Sequence, residues 1–144
     1  MKVLDVNLLI YASDRRATQH DAARLWLQAT FAGEELIGLP WQTIHGFLRI
    51  STDKRISGDQ VSMQGALAQV QLWMDLPNVR VLSPGERHWA ILQRVLLEGQ
   101  IRGPMTTDAQ LAALTIEYGG VLHTSDRDFA RFPDLRWVNP LTLS

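Results

Sequence analysis

Short apolar runs rich in β-branched residues alternate along this chain with stretches of helical period, and that alternation limits the possible folds more than any other feature. Residues 2–6 (KVLDV), 35–39 (ELIGL), 79–82 (VRVL) and 119–124 (GGVLHT) read as strands, with 135–138 (LRWV) a weaker fifth. Between them, residues 17–31, 40–52, 58–76, 84–99 and 107–120 place apolar side chains at helical spacing. Strands separated by helices pair in parallel, and a parallel sheet needs cover on both faces. The expected fold class is therefore α/β, a three-layer sandwich whose central parallel sheet has about five strands with helices on both sides. With 144 residues and 46% apolar composition, the chain is expected to form one domain over 1–144 without a linker.

Two helix starts are marked by local chemistry. Ser83-Pro84-Gly85-Glu86 has the form of a capping box ahead of Trp89, Leu92, Val95 and Leu96. Thr107-Asp108-Ala109-Gln110 repeats the device, and Gly119-Gly120 can end that helix in a left-handed conformation. Asp108 thus falls in the first turn of a helix, where the dipole favours a carboxylate whose side chain can still project beyond the helix end.

Four aspartates stand at predicted strand ends or helix starts: Asp5, Asp108, Asp126 and Asp128. An Asp in an apolar strand is costly unless it is paired or coordinates a cation. Asp5 or Asn7 could instead cap the helix that begins at LLIYAS, and Asp108 could be an ordinary first-turn stabiliser. Ser125 capping a short helix with Asp128 closing the box accounts for one of the last two acids and not for both. Thr124 and Ser125 crowd the same strand end and offer polar support. Open α/β sheets place their sites outside the carboxyl ends of strands, which is where these acids are expected to meet around a divalent cation.

Composition narrows the chemistry. The chain has no cysteine, which excludes disulfides, thiolate metal sites and cysteine nucleophiles, so a metal would be held by oxygen or imidazole. The net charge of −1 hides an asymmetry, because four of the 15 acids are these aspartates and the remainder is outnumbered by 14 Lys and Arg. Nucleic-acid binding is permitted by that balance and not demanded by it. No apolar run is long enough to span a bilayer and the N-terminus lacks a signal-peptide pattern, so a soluble cytoplasmic protein is expected. Trp26, Trp73 and Trp89 lie at core spacing, whereas Trp41, beside Pro40 at a helix start, is free for another role. Arg15, Arg16, Arg49, Lys54, Arg55 and Arg127 lie nearest in sequence to the motif segments, without a pattern that singles out those that bind substrate.

The opening strand with DVNLLIYA, the segment GLPWQTIHGFLRIST, the helix TTDAQLAAL and the run VLHTSDRDFARFPDLRWVNPL, taken together and in this order, resemble a PIN-domain protein, and more narrowly a VapC-type toxin of a toxin–antitoxin pair. The resemblance implies a PIN fold and a metal-dependent endoribonuclease using Mg²⁺ or Mn²⁺. It also implies a homodimer and a cognate antitoxin protein as partner. By motif position it implies Asp5, Asp108 and Asp126 as catalytic and metal-binding acids, Asp128 as a further ligand, and Asn7, Thr124 and Ser125 as polar support. Members commonly carry a Glu three residues before an Arg in the segment after the second strand; before Arg49 that position is Gly46. His45 is about 100° away around the helix and is a poor substitute.

The chemistry is consistent with three or four aspartates. Mg²⁺ prefers oxygen ligands, commonly one or two carboxylates plus waters, and a metal-activated water can attack phosphorus without a protein nucleophile. Two competing readings differ in kind. A haloacid-dehalogenase-type phosphatase also opens with an Asp after its first strand, but it needs a second acid two residues on, where this chain has Asn7. A catalytically weakened PIN-like module that binds RNA or protein is the other, motivated by Gly46.

Overall fold

In a computed structural model of the protein, residues 1–142 are described. Five short strands form one sheet: β1 Lys2–Leu4, β2 Ile37–Pro40, β3 Val79–Leu82, β4 Val121–His123 and β5 Trp137–Val138. Their order is β3-β2-β1-β4-β5, and every neighbouring pair is parallel. Among the described residues, the helices are α1 Val6–Ser13, α2 His20–Ala32, α3 Trp41–Ser51, α4 Lys54–Ser57, α5 Met63–Met74, α6 His88–Glu98 and α7 Thr106–Glu117.

Alternation along β1 builds both cores. Val3 joins a cluster with Leu92, Val95, Leu111, Leu122 and Phe129, which is the α6 and α7 side of the sheet. Leu4 joins Leu9, Leu27, Ile44, Phe47, Val70 and Trp73 on the α1, α2, α3 and α5 side. Successive strand residues point to opposite faces, so one short strand anchors both layers. The three-layer α/β sandwich and its five parallel strands match the expectation.

The path of the chain leaves a crevice. From β1 it moves outward through β2 to β3, then returns to pair β4 on the other side of β1 and continues to β5. Adjacent strands whose connections depart in opposite directions leave a cleft at their carboxyl ends. Here that cleft lies between the ends of β1 and β4, where Leu4 pairs with His123.

Several local expectations are corrected. The capping box at residues 83–86 does not form, and α6 begins at His88. Tertiary contacts claim those residues instead: Gly85 N donates to both carboxylate oxygens of Glu117, at 3.2 and 3.1 Å. Tyr118 Oη donates to the Ser83 carbonyl at 2.9 Å. α5 starts later than its apolar pattern suggested, at Met63, because Ser62 Oγ accepts from Gly65 N at 3.0 Å and caps it. α7 starts at Thr106, so Thr107 does not cap it, yet Asp108 remains in the first turn. Gly119, at φ 65°, does end the chain's run out of α7 in the left-handed region. Trp73 is buried, but Trp89 is 67% exposed and does not pack in the core.

Candidate metal centre

The first acid is held by the turn from strand to helix. Asp5 follows β1 with extended backbone and caps α1, its Oδ1 accepting from Val6 N at 2.7 Å. Its Oδ2 accepts from Thr124 Oγ1 at 2.7 Å and from Asn7 Nδ2 at 3.3 Å. The cap and the site are therefore one residue, each carboxylate oxygen facing a different task. Asp5 is buried, and burial is the main cause that pushes its carboxyl up; the charge of Asp126 adds to it, while the Thr124 and Val6 hydrogen bonds oppose it.

Thr124 is the hub between the two strand ends. Fully buried, it donates to Asp5 and accepts from Asn7 Nδ2 at 3.2 Å and from Asp126 N at 3.0 Å. One hydroxyl offers one donor and two acceptor sites, so its capacity is used completely. Asn7 Oδ1 accepts from Ser125 N at 3.4 Å, a longer contact that ties the loop after β4 to α1. Asp126 then caps the 3-10 turn Arg127–Arg131, its Oδ1 accepting from Asp128 N at 2.9 Å. Asp126 and not Ser125 carries that cap, a correction to the local reading: the hydrogen bond to Thr124 turns the backbone so that Asp126 reaches the turn.

Asp108 enters from α7. It is half-buried, and burial raises its carboxyl first, followed by the charges of Asp126, Asp5 and Asp128. The three segments therefore deliver carboxylates near enough to repel one another. Asp128 is exposed at the margin. Among the described residues, none of the four aspartates is paired with a Lys, Arg or His. Nor do three or more acids or imidazoles already stand at metal-holding distance from one common point. An uncompensated patch of carboxylates that is open rather than closed fits a hydrated divalent ion, which keeps several waters and takes few protein ligands.

Two positioning residues carried no clear signal in the sequence. Thr43, buried on α3, donates from Oγ1 to the Leu4 carbonyl at 2.8 Å and so fixes the helix against the strand end that carries Asp5. Gln42 Nε2 donates to the Thr107 carbonyl at 3.1 Å, linking α3 to the residue before Asp108. A polar residue on an amphipathic helix gives no hint of a partner 39 or 65 positions away.

Gly46 has a structural reason. A Cβ at this position would lie 3.2 Å from Val6 Cγ2, so the glycine lets α3 approach α1 immediately after Asp5. Of the basic candidates, Arg16 is tied to Asp14 and to the Ile56 carbonyl, and Arg55 to Asp53. Lys54 lies 3.8 Å from Asp59, and Arg127 is exposed between Asp126 and Asp128.

Comparison with known proteins accords with this geometry. The PIN domain family model matches residues 2–135. Ribonuclease VapC33 of Mycobacterium tuberculosis is 43% identical over 141 residues, covering 98% of this chain and 99% of the relative. Ribonuclease VapC37 of the same organism is 31% identical over 143 residues, with 99% of each chain covered. In fold, the chain is similar to VapBC2 from Rickettsia felis bound to a promoter DNA fragment, with TM-score 0.70 at 15% identity over 96% of this chain and 97% of that one. It is also similar to Mycobacterium tuberculosis VapC20, a sarcin-ricin loop cleaving toxin, with TM-score 0.65 at 16% identity over 94% and 99%. With the aspartate-bearing strand ends, the PIN match and full-length VapC relatives in agreement, the chain belongs to the PIN-domain family and, within it, to the VapC-type ribonucleases.

Proposed function

We propose that the protein is a divalent-metal-dependent endoribonuclease and the toxin of a toxin–antitoxin pair, with Asp5, Asp108 and Asp126 as its metal-binding acids. What supports this reading is that the charges of Asp126, Asp5 and Asp128 all bear on the Asp108 carboxyl, in a chain that matches VapC ribonucleases end to end. Asp128 serves at the edge of the site, and Asn7, Thr124 and Ser125 hold the acids in place.

Asp5, Asp108 and Asp126 would hold the cation, Mg²⁺ or Mn²⁺. When bound, it supplies Lewis acidity to an attacking water and positive charge to the phosphate oxygens. The chain's own residues do the rest. Thr124 fixes the Asp5 carboxylate, the first turn of α7 presents Asp108, and Arg127 offers a cation beside the acids for the RNA backbone. His123, the histidine beside Thr124 in sequence, stacks on Trp26 and is hydrogen-bonded through Nδ1 to the Val121 carbonyl, so hydrolysis by water is preferred here to internal transfer.

A cognate antitoxin protein is the expected partner, since the solved relatives include VapBC complexes. A homodimer is expected too, and Met63, Leu67 and Leu72 are exposed on α5. Among the described residues no helix is long and apolar enough to cross a membrane.

The test is cleavage of RNA in Mg²⁺ or Mn²⁺ with analysis of the product ends. Activity should vanish with EDTA, fall by orders of magnitude in Asp5→Asn, and leave 5′-phosphate and 3′-hydroxyl ends. Recovery of 2′,3′-cyclic phosphate, or full activity in chelator, would overturn the assignment.

A further inference from the structure

A second concave feature lies beside the acids, at the carboxyl ends of β2 and β3. It is a cavity of about 280 Å³ between the start of α3, the Gln110 and Leu114 side of α7 and the start of α6. Its apolar lining includes Leu82 and Leu114. One wall is Trp41, 43% exposed, its indole 5.7 Å from the His45 ring at a tilt of 38°. Gln42 and Gln110 contribute amides, and His88 an imidazole whose Nδ1 is buried without a hydrogen bond, 3.5 Å from Glu117 Oε1. Among the described residues no lysine or arginine lines it, and the one carboxylate near it, Glu117, stands behind His88.

This combination selects a class of ligand. An aromatic wall, an apolar lining, two amides and imidazole edges suit a flat ring with hydrogen-bonding edges; a phosphate would call for lysine or arginine. Single-stranded RNA offers such rings, because its unstacked bases lie on aromatic side chains and are read at their edges by polar groups. The location agrees: Trp41 follows β2, the neighbour of β1, and Gln42 is bonded to the residue preceding Asp108. The same two helices thus border the acids and the cavity.

We infer that this cavity is a nucleobase subsite, in which Trp41 stacks on a base of the RNA displaced from the scissile phosphate and Gln110, His45 and His88 read its edge. The inference rests on the ribonuclease reading. It assigns part of the cleavage specificity to α3, α6 and α7, outside the acids themselves, and gives the exposed Trp41 a role that core packing does not.

The experiment compares wild type, Trp41→Ala, Trp41→Phe and Gln110→Ala on a randomised single-stranded RNA pool in Mg²⁺, sequencing the cleaved ends. Wild type should prefer particular bases at one position beside the cut. Trp41→Ala should flatten that preference and raise KM about tenfold or more with kcat little changed, as expected for the loss of one stacked base. Trp41→Phe should retain most of both, and Gln110→Ala should change which base is preferred. A dinucleotide too short to reach the cavity should be cleaved equally by wild type and Trp41→Ala. Unchanged preference and KM in Trp41→Ala would overturn the subsite. So would a loss of activity accompanied by a change in molecular mass by light scattering, which would make this face a contact between protein chains. Failure of wild type to cleave any RNA in the pool would instead overturn the ribonuclease reading itself.

Discussion

Thr124 Oγ1 donates a 2.7 Å hydrogen bond to Asp5 Oδ2, joining residues 119 positions apart across the carboxyl ends of neighbouring strands. The same oxygen accepts from Asp126 N, so one buried hydroxyl sets the orientation of one acid and the backbone turn that presents another. The proposed site is therefore centred on the β1/β4 pairing, with α7 bringing Asp108 from a separate layer.

Replacing that hydroxyl should damage stability and activity together. Thr124→Val keeps the shape but leaves Asp5 Oδ2 with only the longer Asn7 hydrogen bond and Asp126 N without its acceptor, at a cost of about 1–3 kcal/mol. Urea unfolding should report that loss, while Thr124→Ser, which retains the hydroxyl, should lose markedly less. Equal losses in the two variants would assign the role of Thr124 to its methyl group.

Asp108 should make the metal-free protein less stable as pH rises. Its carboxyl is raised above the ordinary 3.8, first by burial and then by the charges of Asp126, Asp5 and Asp128. A raised folded-state value means that the folded protein holds the proton more tightly than the unfolded chain. That contribution is fully present below pH 3.8 and is lost as pH climbs through the raised value. In EDTA, Asp108→Asn should therefore melt higher than wild type at neutral pH, with the difference shrinking toward pH 3.8. Adding Mg²⁺ should raise the wild-type Tm and have less effect on the variant. A Tm difference independent of both pH and Mg²⁺ would remove Asp108 from the site.

Gly46→Glu tests the missing acid. Leaving glycine in a helix interior gains roughly 0.5–1 kcal/mol, but the new Cβ meets Val6 Cγ2 at 3.2 Å, so the net stability change should be small. Mn²⁺ affinity by calorimetry should increase, and pairing the change with Val6→Ala should relieve the contact and keep the gain. Unchanged affinity in both variants would place the side chain away from the cation.

Asp14 should respond to acid in the opposite sense. The Arg16 side chain and then Gln60 hold its carboxyl down at about 2, which ties the end of α1 to the loop before α5. This contribution is present above 3.8 and is lost as pH falls toward 2. Asp14→Asn should lower Tm at neutral pH, and the gap to wild type should close in strong acid. A gap constant down to that range would mean the carboxylate charge is not what stabilises this corner.

Periodicity and residue chemistry alone determined the α/β class, the five parallel strands, the position of Asp108 in a first helical turn and the left-handed exit at Gly119, because each depends on neighbours within a turn or a strand. The candidate acids stood out for a related reason: Asp5 and Asp126 follow apolar runs at strand ends, where a carboxylate is conspicuous. What the sequence could not decide depends on contacts between distant segments. Residues 83–86 carry a sound local capping signal, yet Glu117 and Tyr118 take their backbone groups and α6 starts later. Trp89 has core spacing but faces solvent, since spacing specifies a helix face and not what covers it. Thr124 as hub, Thr43 against the end of β1 and Gly46 against Val6 emerged only when the strand order β3-β2-β1-β4-β5 brought their partners together, because hydrogen bonds and close approaches across layers leave no periodic trace in the chain.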